Sequence, residues 1–241
     1  MSESAPLRVA VIGAAGRMGR FASELLSRSP GFTLAGEIGR ADDLGRRLRE
    51  LRPQVALDVT RAGLGYEHGR TILASGVRPV IGTSGVTPEE NQALDAQARE
   101  LELGGLVVPN FSLGMWLLQR AAVEAAGHFA SVEIVELHHQ NKRDAPSGTA
   151  LDTAERIERA HGDAQRVPIH SVRLPGLYAH QLVICGAEGE LYTLRHDMHG
   201  PQAFAVGILR ATEHAAHAVG VARGLGVALE RVDAAAARFT R

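Results

Sequence analysis

The chain carries one cysteine, no extended apolar run and a net charge of only −1. Each scarcity removes a class of answers. Cys185 has no second thiol to pair with inside the chain, so no internal disulfide can form and a reducing, cytoplasmic setting is expected. Lying in an apolar run, that single thiol reads as inert packing. No apolar stretch approaches the length of a bilayer span, and Met1 to Pro6 lack the basic start and hydrophobic core of an export signal, so no membrane partner is expected. The near-neutral charge argues against a nucleic-acid surface. Arg46, Arg47, Arg49 and Arg52 do cluster, yet Asp42, Asp43 and Glu50 are interleaved with them, as on a solvated helix face. Internal repeats and linkers are also lacking, and the one compositionally biased stretch is the alanine-rich tail from Ala234 to Ala237.

At 241 residues with 45% hydrophobic content, the chain has material for one large or two modest cores. Its first half alternates. Leu7 to Ile12 is a short apolar run, followed at once by Gly13-Ala14-Ala15-Gly16-Arg17-Met18-Gly19 and then by Met18, Phe21, Ala22, Leu25 and Leu26 at helical spacing until Pro30-Gly31. Strand, glycine turn and helix in that order suit a dinucleotide: Gly13 for the tight turn, Gly16 for approach of a pyrophosphate, Gly19 for close helix packing. A strand is expected from Phe32 to Glu37, a polar helix near Asp42 to Leu51, a strand from Val55 to Val59, a helical stretch from Leu64 to Ala74, and a strand from Arg78 to Gly82. Thr87-Pro88-Glu89-Glu90 opens a capped helix running to about Leu103, which Gly104-Gly105 ends before a strand from Leu106 to Val108. Such alternation predicts an α/β fold, a doubly wound parallel Rossmann-type sheet with ligands at the carboxyl ends of its strands.

Cofactor choice is expected at the end of the second strand, where an acid would hold a ribose hydroxyl and a base a 2′-phosphate. Gly39 occupies the usual acidic place, Arg40 follows it, and Glu37 is the only acid close by, two residues early. Arg40 reads either as the phosphate-binding base or as a solvated surface arginine. The first reading predicts that NADPH is used at least as well as NADH.

The second half holds the densest chemistry. Val132, Ile134, Glu136 and His138 alternate as one face of a strand, so His138 sits where a loop begins. Lys142 lies on that loop, and Ser147 is placed to cap a helix through Thr149, Leu151, Ala154, Ile157 and Glu158. The first N–H groups of a helix lack internal partners and carry its positive dipole end, so Ser147, Gly148 and Thr149 can hold a carboxylate or phosphate. Strands are expected over Val167 to Arg173, Ala179 to Cys185 and Glu190 to His196, the last two joined by Gly186-Ala187-Glu188-Gly189 as a hairpin. A final helical segment from Ala203 to about Ala216, then Leu225 to Val232, is expected to return to the first domain. The organisation predicted is residues 1–109 with 203–241 as a dinucleotide-binding domain, and residues 110–202 as a second, α+β domain with an open mixed sheet for substrate binding and oligomerisation. His196 and His199 find no third ligand at sensible spacing, so no metal is expected.

Glu136 to Ala150, with His138, His139, Lys142 and Asp-Ala-Pro-Ser-Gly-Thr-Ala, resembles position for position the E-x-H-H-x-x-K-x-D-A-P-S-G-T-A signature of the dihydrodipicolinate reductases. Gly13 to Gly19 is similar to that family's glycine turn. The resemblance implies NAD(P)H-dependent reduction of 4-hydroxy-tetrahydrodipicolinate, a small dicarboxylate, with loss of water, in the diaminopimelate route to lysine. It implies His138 as general acid, Lys142 as the cation holding developing charge, and His139, Ser147, Gly148 and Thr149 as carboxylate ligands. Gly13, Ala14, Ala15, Gly16, Arg17, Met18 and Arg40 fall at the adenosine and pyrophosphate positions. Gly82, Thr83 and Ser84, with Val108, Pro109, Asn110 and Phe111, fall where the family lines its nicotinamide. A homotetramer built through the open sheet is implied as well. The sequence departs from the family at Gly39, the usual acidic position, and at Pro201, near a usual arginine; Val59 where the family has Phe, and Ser84 where it often has Thr, are mild substitutions.

Rival readings fare less well. An aspartate-semialdehyde dehydrogenase needs a catalytic cysteine, and Cys185 lies inside a strand pattern. None of Tyr66, Tyr178 and Tyr192 has the lysine four residues on that a short-chain dehydrogenase needs. A catalytically silent NAD(P)-binding sensor or scaffold of the same fold would need His138 and Lys142 to be idle.

Overall fold

The computed structural model describes residues 5–160 and 166–229. Two compact units divide them, the first made of residues up to Phe111 and from Phe204 onward, the second of Ser112–Ala203. The expected tail at Ala234 to Ala237, and the end of the segment expected to reach Val232, lie outside the described residues.

In the first unit, strands β1 (Leu7–Ile12), β2 (Phe32–Ile38), β3 (Val55–Asp58), β4 (Arg78–Ile81), β5 (Gly104–Val107) and β10 (Gly220–Arg223) alternate with α1 (Arg17–Arg28), α2 (Leu44–Leu51), α3 (Gly65–Ala74), α4 (Pro88–Glu100) and α7 (Ala205–His217). The sheet order is β10-β5-β4-β3-β1-β2, every pair parallel, which is the doubly wound Rossmann-type arrangement. Parallel strands need crossover helices, and helices on both faces leave the central strands buried on both sides. All four residues of β3 are accordingly buried. Ala10, Ile12, Ala56 and Ile38 pack with Leu48 and Ile72 of α2 and α3, while Ile81 and Val107 pack with Leu94 and Ala98 of α4. The capping box at Thr87 forms as expected: Glu90 N–H donates to Thr87 Oγ1 at 3.2 Å and Thr87 N–H to Glu90 Oε2 at 2.9 Å.

The boundary between α4 and β5 differs from the sequence expectation. Gly104 and Gly105 do not end α4 but form the start of β5, and the turn falls earlier, with Glu102 at φ +53°. The glycines answer to crowding. A Cβ on Gly104 would lie 2.4 Å from Ala218 O, and one on Gly105 2.9 Å from Pro79 O.

The second unit is a four-stranded sheet, order β7-β6-β8-β9, built from β6 (Ser131–His138), β7 (Ile169–Arg173), β8 (Ala179–Ala187) and β9 (Glu190–Met198). β6 and β7 run parallel and the other pairs antiparallel, so the sheet is mixed as expected. Helices α5 (Leu113–Ala126) and α6 (Gly148–Ala160) cover one face, where Met115, Leu118, Ile157, Ile134, Val183 and buried Cys185 form the core. The hairpin is tighter than the four residues expected: β8 and β9 pair through Ala187 and Glu190, leaving only Glu188-Gly189 to turn, with Gly189 at φ +85°. A short 3₁₀ turn, Pro201–Phe204, precedes α7. Among the described residues no helix is long and apolar enough to cross a membrane.

Gly207 in α7 shows how tightly the first unit is packed, since a Cβ there would lie 1.9 Å from Phe111 O. Gly→Ala inside a helix ordinarily gains roughly 1 kcal/mol. Here the clash with backbone reverses the sign, and thermal unfolding of Gly207→Ala is expected to show a loss of about 1–3 kcal/mol. An unchanged or raised melting temperature would contradict this packing.

Candidate active site

The carboxyl ends of the strands in the first unit carry the glycine turn. Gly13 sits at φ +85°, with Thr60 packed against it, and Gly19 lies so close under the turn that a Cβ would come within 2.2 Å of Gly13 O. Gly16 caps α1 without a side-chain hydrogen bond, which leaves the helix start to an incoming group. Gly13, Ala15, Gly16 and Arg40 line one cavity of about 540 Å3, closed further by Leu44, Val59, Leu64 and His68. Buried Ala14 lies inside the turn, and Arg17 and Met18 begin α1. These residues fit a dinucleotide, because the turn is open where a phosphate must approach backbone and the cavity has the size of a nucleoside site.

The acid of this cavity is Asp42, not Glu37. Gly39 N–H donates to Asp42 Oδ2 at 2.7 Å, which folds the loop after β2 back so that Gly39, Arg40 and Asp42 all line the cavity while exposed Glu37 stays on the strand. Sequence spacing missed this because a loop reversal, not strand alternation, brings the carboxylate round.

His68 is a second omission, and it meets Asp58 at the end of β3. Asp58 is entirely buried at the end of β3. Its Oδ1 accepts from Thr60 N at 3.0 Å and Thr60 Oγ1 at 2.7 Å, and its Oδ2 lies 2.9 Å from His68 Nδ1. His68 carried no local signal, because it reaches Asp58 only through the packing of α3.

Gly82, Thr83 and Ser84 follow β4, and Val108, Pro109, Asn110 and Phe111 follow β5, at the same sheet edge but outside the cavity. Gly82 is needed there, since a Cβ would meet the Phe111 ring at 2.5 Å. Thr83, Val108 and Phe111 are buried, and Thr83 Oγ1 has no hydrogen-bond partner.

In the second unit the loop between β6 and α6 gathers His138, His139, Lys142, Ser147, Gly148 and Thr149. Its anchor is Glu136, fully buried on the apolar face of β6. Arg173 from β7 donates to both carboxylate oxygens, at 2.9 and 2.7 Å, Ser147 N–H donates at 3.2 Å, and His138 Nδ1 bonds Oε2. Arg173 also donates to Asp144 O at 2.7 Å, which holds the loop shut around the cis Ala145–Pro146 bond. Burial pushes the Glu136 carboxyl up, but the hydrogen bonds from Arg173, Ser171 and His138 outweigh it and hold the group below its ordinary range. Burial is also the first cause acting on His138, lowering it below 6.5 with help from Lys142 and Arg173, while Glu136 pulls the other way. The imidazole thus has a fixed orientation and a proton held loosely.

Lys142 Nζ reaches both oxygens of Asp144, at 2.8 and 2.7 Å, and that bond lowers the Asp144 carboxyl. Ser147 caps α6 as expected: Ala150 N–H donates to its Oγ at 3.2 Å. The N–H of Ser147 is already spent on Glu136, so at this residue only the hydroxyl hydrogen remains for a ligand. At Gly148 there is open space, with nothing within 4 Å of a Cβ. Sequence reasoning assigned Glu136 and Arg173 no role. An acid at a core position of β6 was the visible sign for Glu136; Arg173 could be found only through strand pairing.

Among the described residues no group of three or more His, Cys, Asp or Glu is arranged to hold a metal ion. His180 Nδ1 pairs with Asp197 Oδ1 at 2.8 Å, and His196 Nε2 lies 3.2 Å from Ser112 Oγ.

Comparison with known proteins agrees with this architecture. The sequence model described as "Dihydrodipicolinate reductase, N-terminus" matches residues 7–111, and that described as "Dihydrodipicolinate reductase, C-terminus" matches residues 114–225. A 4-hydroxy-tetrahydrodipicolinate reductase of Geobacillus thermodenitrificans is 39% identical over 93% of this chain and 99% of its own length. Its counterpart in Coxiella burnetii is 42% identical over 79% and 86%. Among solved structures, the dipicolinate-bound dihydrodipicolinate reductase from Paenisporosarcina sp. TG-14 superposes with a TM-score of 0.81 at 33% identity, covering 91% of this chain and 98% of that one. An amine dehydrogenase from Mycobacterium smegmatis, 14% identical with a TM-score of 0.65, shares the fold alone. With both halves matched and this identity sustained over most of its length, the chain belongs to the dihydrodipicolinate reductase family.

Proposed function

We propose that this chain is an NAD(P)H-dependent oxidoreductase that reduces 4-hydroxy-tetrahydrodipicolinate to tetrahydrodipicolinate, with loss of water, in the cytoplasmic diaminopimelate route to lysine. The observation that carries the reading is the assembly at the end of β6. A titratable imidazole oriented by a buried carboxylate, a lysine and an open helix start lie within one loop. A dinucleotide held at Gly13 to Met18 and Arg40, with its nicotinamide end toward Gly82, Thr83, Ser84 and Val108 to Phe111, would supply hydride when bound.

The chain's own residues supply the rest. Reduction of a conjugated imine drives electron density through the ring, and a proton must follow. His138 donates it, because Glu136 fixes Nδ1 and leaves Nε2 for the substrate. Lys142 holds the developing negative charge. The start of α6 at Ser147, Gly148 and Thr149 takes a substrate carboxylate, and His139 assists with the other.

Among the described residues α5 and α6 cover one face of the second unit's sheet, and the apolar character of the other face supports a homotetramer. Val135 and Leu182 pair across β6 and β8, Leu137 pairs with Val172 of β7, and Ile184 and Leu191 extend the stripe, with Leu191 76% exposed. Apolar residues contiguous on one side of a sheet mark an interface.

Following NADPH oxidation with substrate generated from pyruvate and aspartate semialdehyde tests the activity directly. Lys142→Gln and His138→Gln are each expected to lower kcat by roughly 10²–10⁴-fold while NADPH affinity stays within a few fold. Near-normal turnover in either would refute its role. The pH dependence has a defined sign. A proton donor whose pKa is lowered loses activity as pH rises, so kcat/KM should decline from below pH 6.5 in the wild type and the limb should vanish in His138→Gln. For the assembly, Leu182→Glu should dissociate the tetramer in sedimentation velocity; a species unchanged in size would count against this face.

A further inference from the structure

The cavity of the first unit has a feature that a glycine turn does not need. Thr60 and His68 both close on Asp58, so the carboxylate is satisfied by the turn on one oxygen and by the imidazole on the other. Asp58 offers only acceptors, which makes His68 Nδ1 the donor and leaves Nε2 for the cavity, where His68 is a wall residue with its side chain 23% exposed. Beside it, Arg61 comes from the loop after β3, and Arg40 and Asp42 come from the loop after β2. Helix α2 adds only Leu44 to this wall. On its own helix, Glu67 and Arg70 are exposed and 3.9 Å from each other. Thus the cavity that carries Gly39 and Arg40, which mark the adenosine side in a fold of this kind, is lined by two fixed cations, one fixed acid and one group that can change its charge.

We propose that His68 reads the adenosine ribose of the dinucleotide as a titratable partner of the 2′-phosphate, so that the preference for NADPH over NADH is set by its protonation. This rests on the dinucleotide reading of the cavity. With the proton on, Nε2–H donates into the cavity and the imidazolium cancels the charge of Asp58. With the proton off, Nε2 becomes an acceptor, and the negative charge of buried Asp58 behind the imidazole is no longer balanced by a positive one. A ribose hydroxyl meets no such change, because it can either donate or accept. Asp42 reinforces the contrast: the oxygen not bonded to Gly39 N–H suits a hydroxyl and repels a phosphate. The hydrogen bond to Asp58 raises His68 above its ordinary 6.5, with burial acting the other way, so the change falls above that value.

The test is calorimetric binding of NADPH and of NADH to the full chain without substrate, between pH 7 and 9. The phosphate's own second ionisation, near pH 6, is complete across that range. In the wild type the ratio of the NADH to the NADPH dissociation constant is expected to fall about tenfold from pH 7 to 9, the size of one unit of charge coupling. His68→Asn keeps a donor for Asp58 and removes the Nε2 end, so its ratio should be low and flat with pH. His68→Gln, a second uncharged variant, should also be flat. A flat ratio in the wild type, or a slope that survives in both variants, would overturn the assignment. If the chain binds neither dinucleotide at any pH, the reading of the cavity itself fails, and this inference with it.

Discussion

The site in the second unit depends on one buried charge. Glu136 is fully excluded from solvent at a position where strand alternation calls for an apolar side chain. An isolated carboxylate there would cost several kcal/mol and would take up a proton instead. Arg173 prevents that by bonding both oxygens, and those bonds keep the group ionised. The carboxylate then gathers what surrounds it. It orients His138 through Nδ1, ties the backbone of Ser147 to β6, and, through Arg173, holds the carbonyl of Asp144. A loop of this length would otherwise pay for its order in lost chain entropy with few contacts to offset it.

The first unit uses the same device. Asp58 is likewise buried at a strand end, accepts from the backbone of the next turn, and orients a histidine through Nδ1. The difference lies in the compensating charge. Glu136 has an arginine, so His138 is free to be neutral and burial lowers its pKa. Asp58 has no arginine among its hydrogen-bond partners, and the imidazole must do that work, which raises His68 instead. One motif with two neighbourhoods thus gives two histidines displaced in opposite directions.

Much of this was legible in the sequence, for identifiable reasons. Period-2 and period-3.6 patterns placed the parallel sheet and its helices, and the local chemistry of Thr87 and Ser147 placed two helix starts, because capping depends on residues within one turn. Local chemistry also placed His138, Lys142 and Gly148 in one loop. What escaped was whatever requires two distant segments to meet. Arg173 reaches Glu136 only through the pairing of β6 with β7, His68 reaches Asp58 only once α3 packs against β3, and Asp42 comes to the cavity only by reversal of its loop. Gly104 and Gly105 misled for the same reason: their lack of side chains answers to α7 and β4, not to a turn between neighbours.

Two cations that engage the second unit's loop, Lys142 within it and Arg173 of β7, differ in how firmly they are held. Arg173 is bound bidentately to a partner with no exposure, and removing that partner would strand a charge in the interior. Lys142 is bound to Asp144, whose side chain is 59% exposed, and such a surface pair is worth about 0.2–1 kcal/mol. Water can solvate Asp144 when the lysine leaves it, whereas nothing can replace Arg173 on Glu136. An anionic ring entering beside Gly148 can therefore recruit the ammonium at little cost without disturbing the network that orients His138. Fixed charges build the loop, and the exchangeable one is the charge that the role proposed for Lys142 requires.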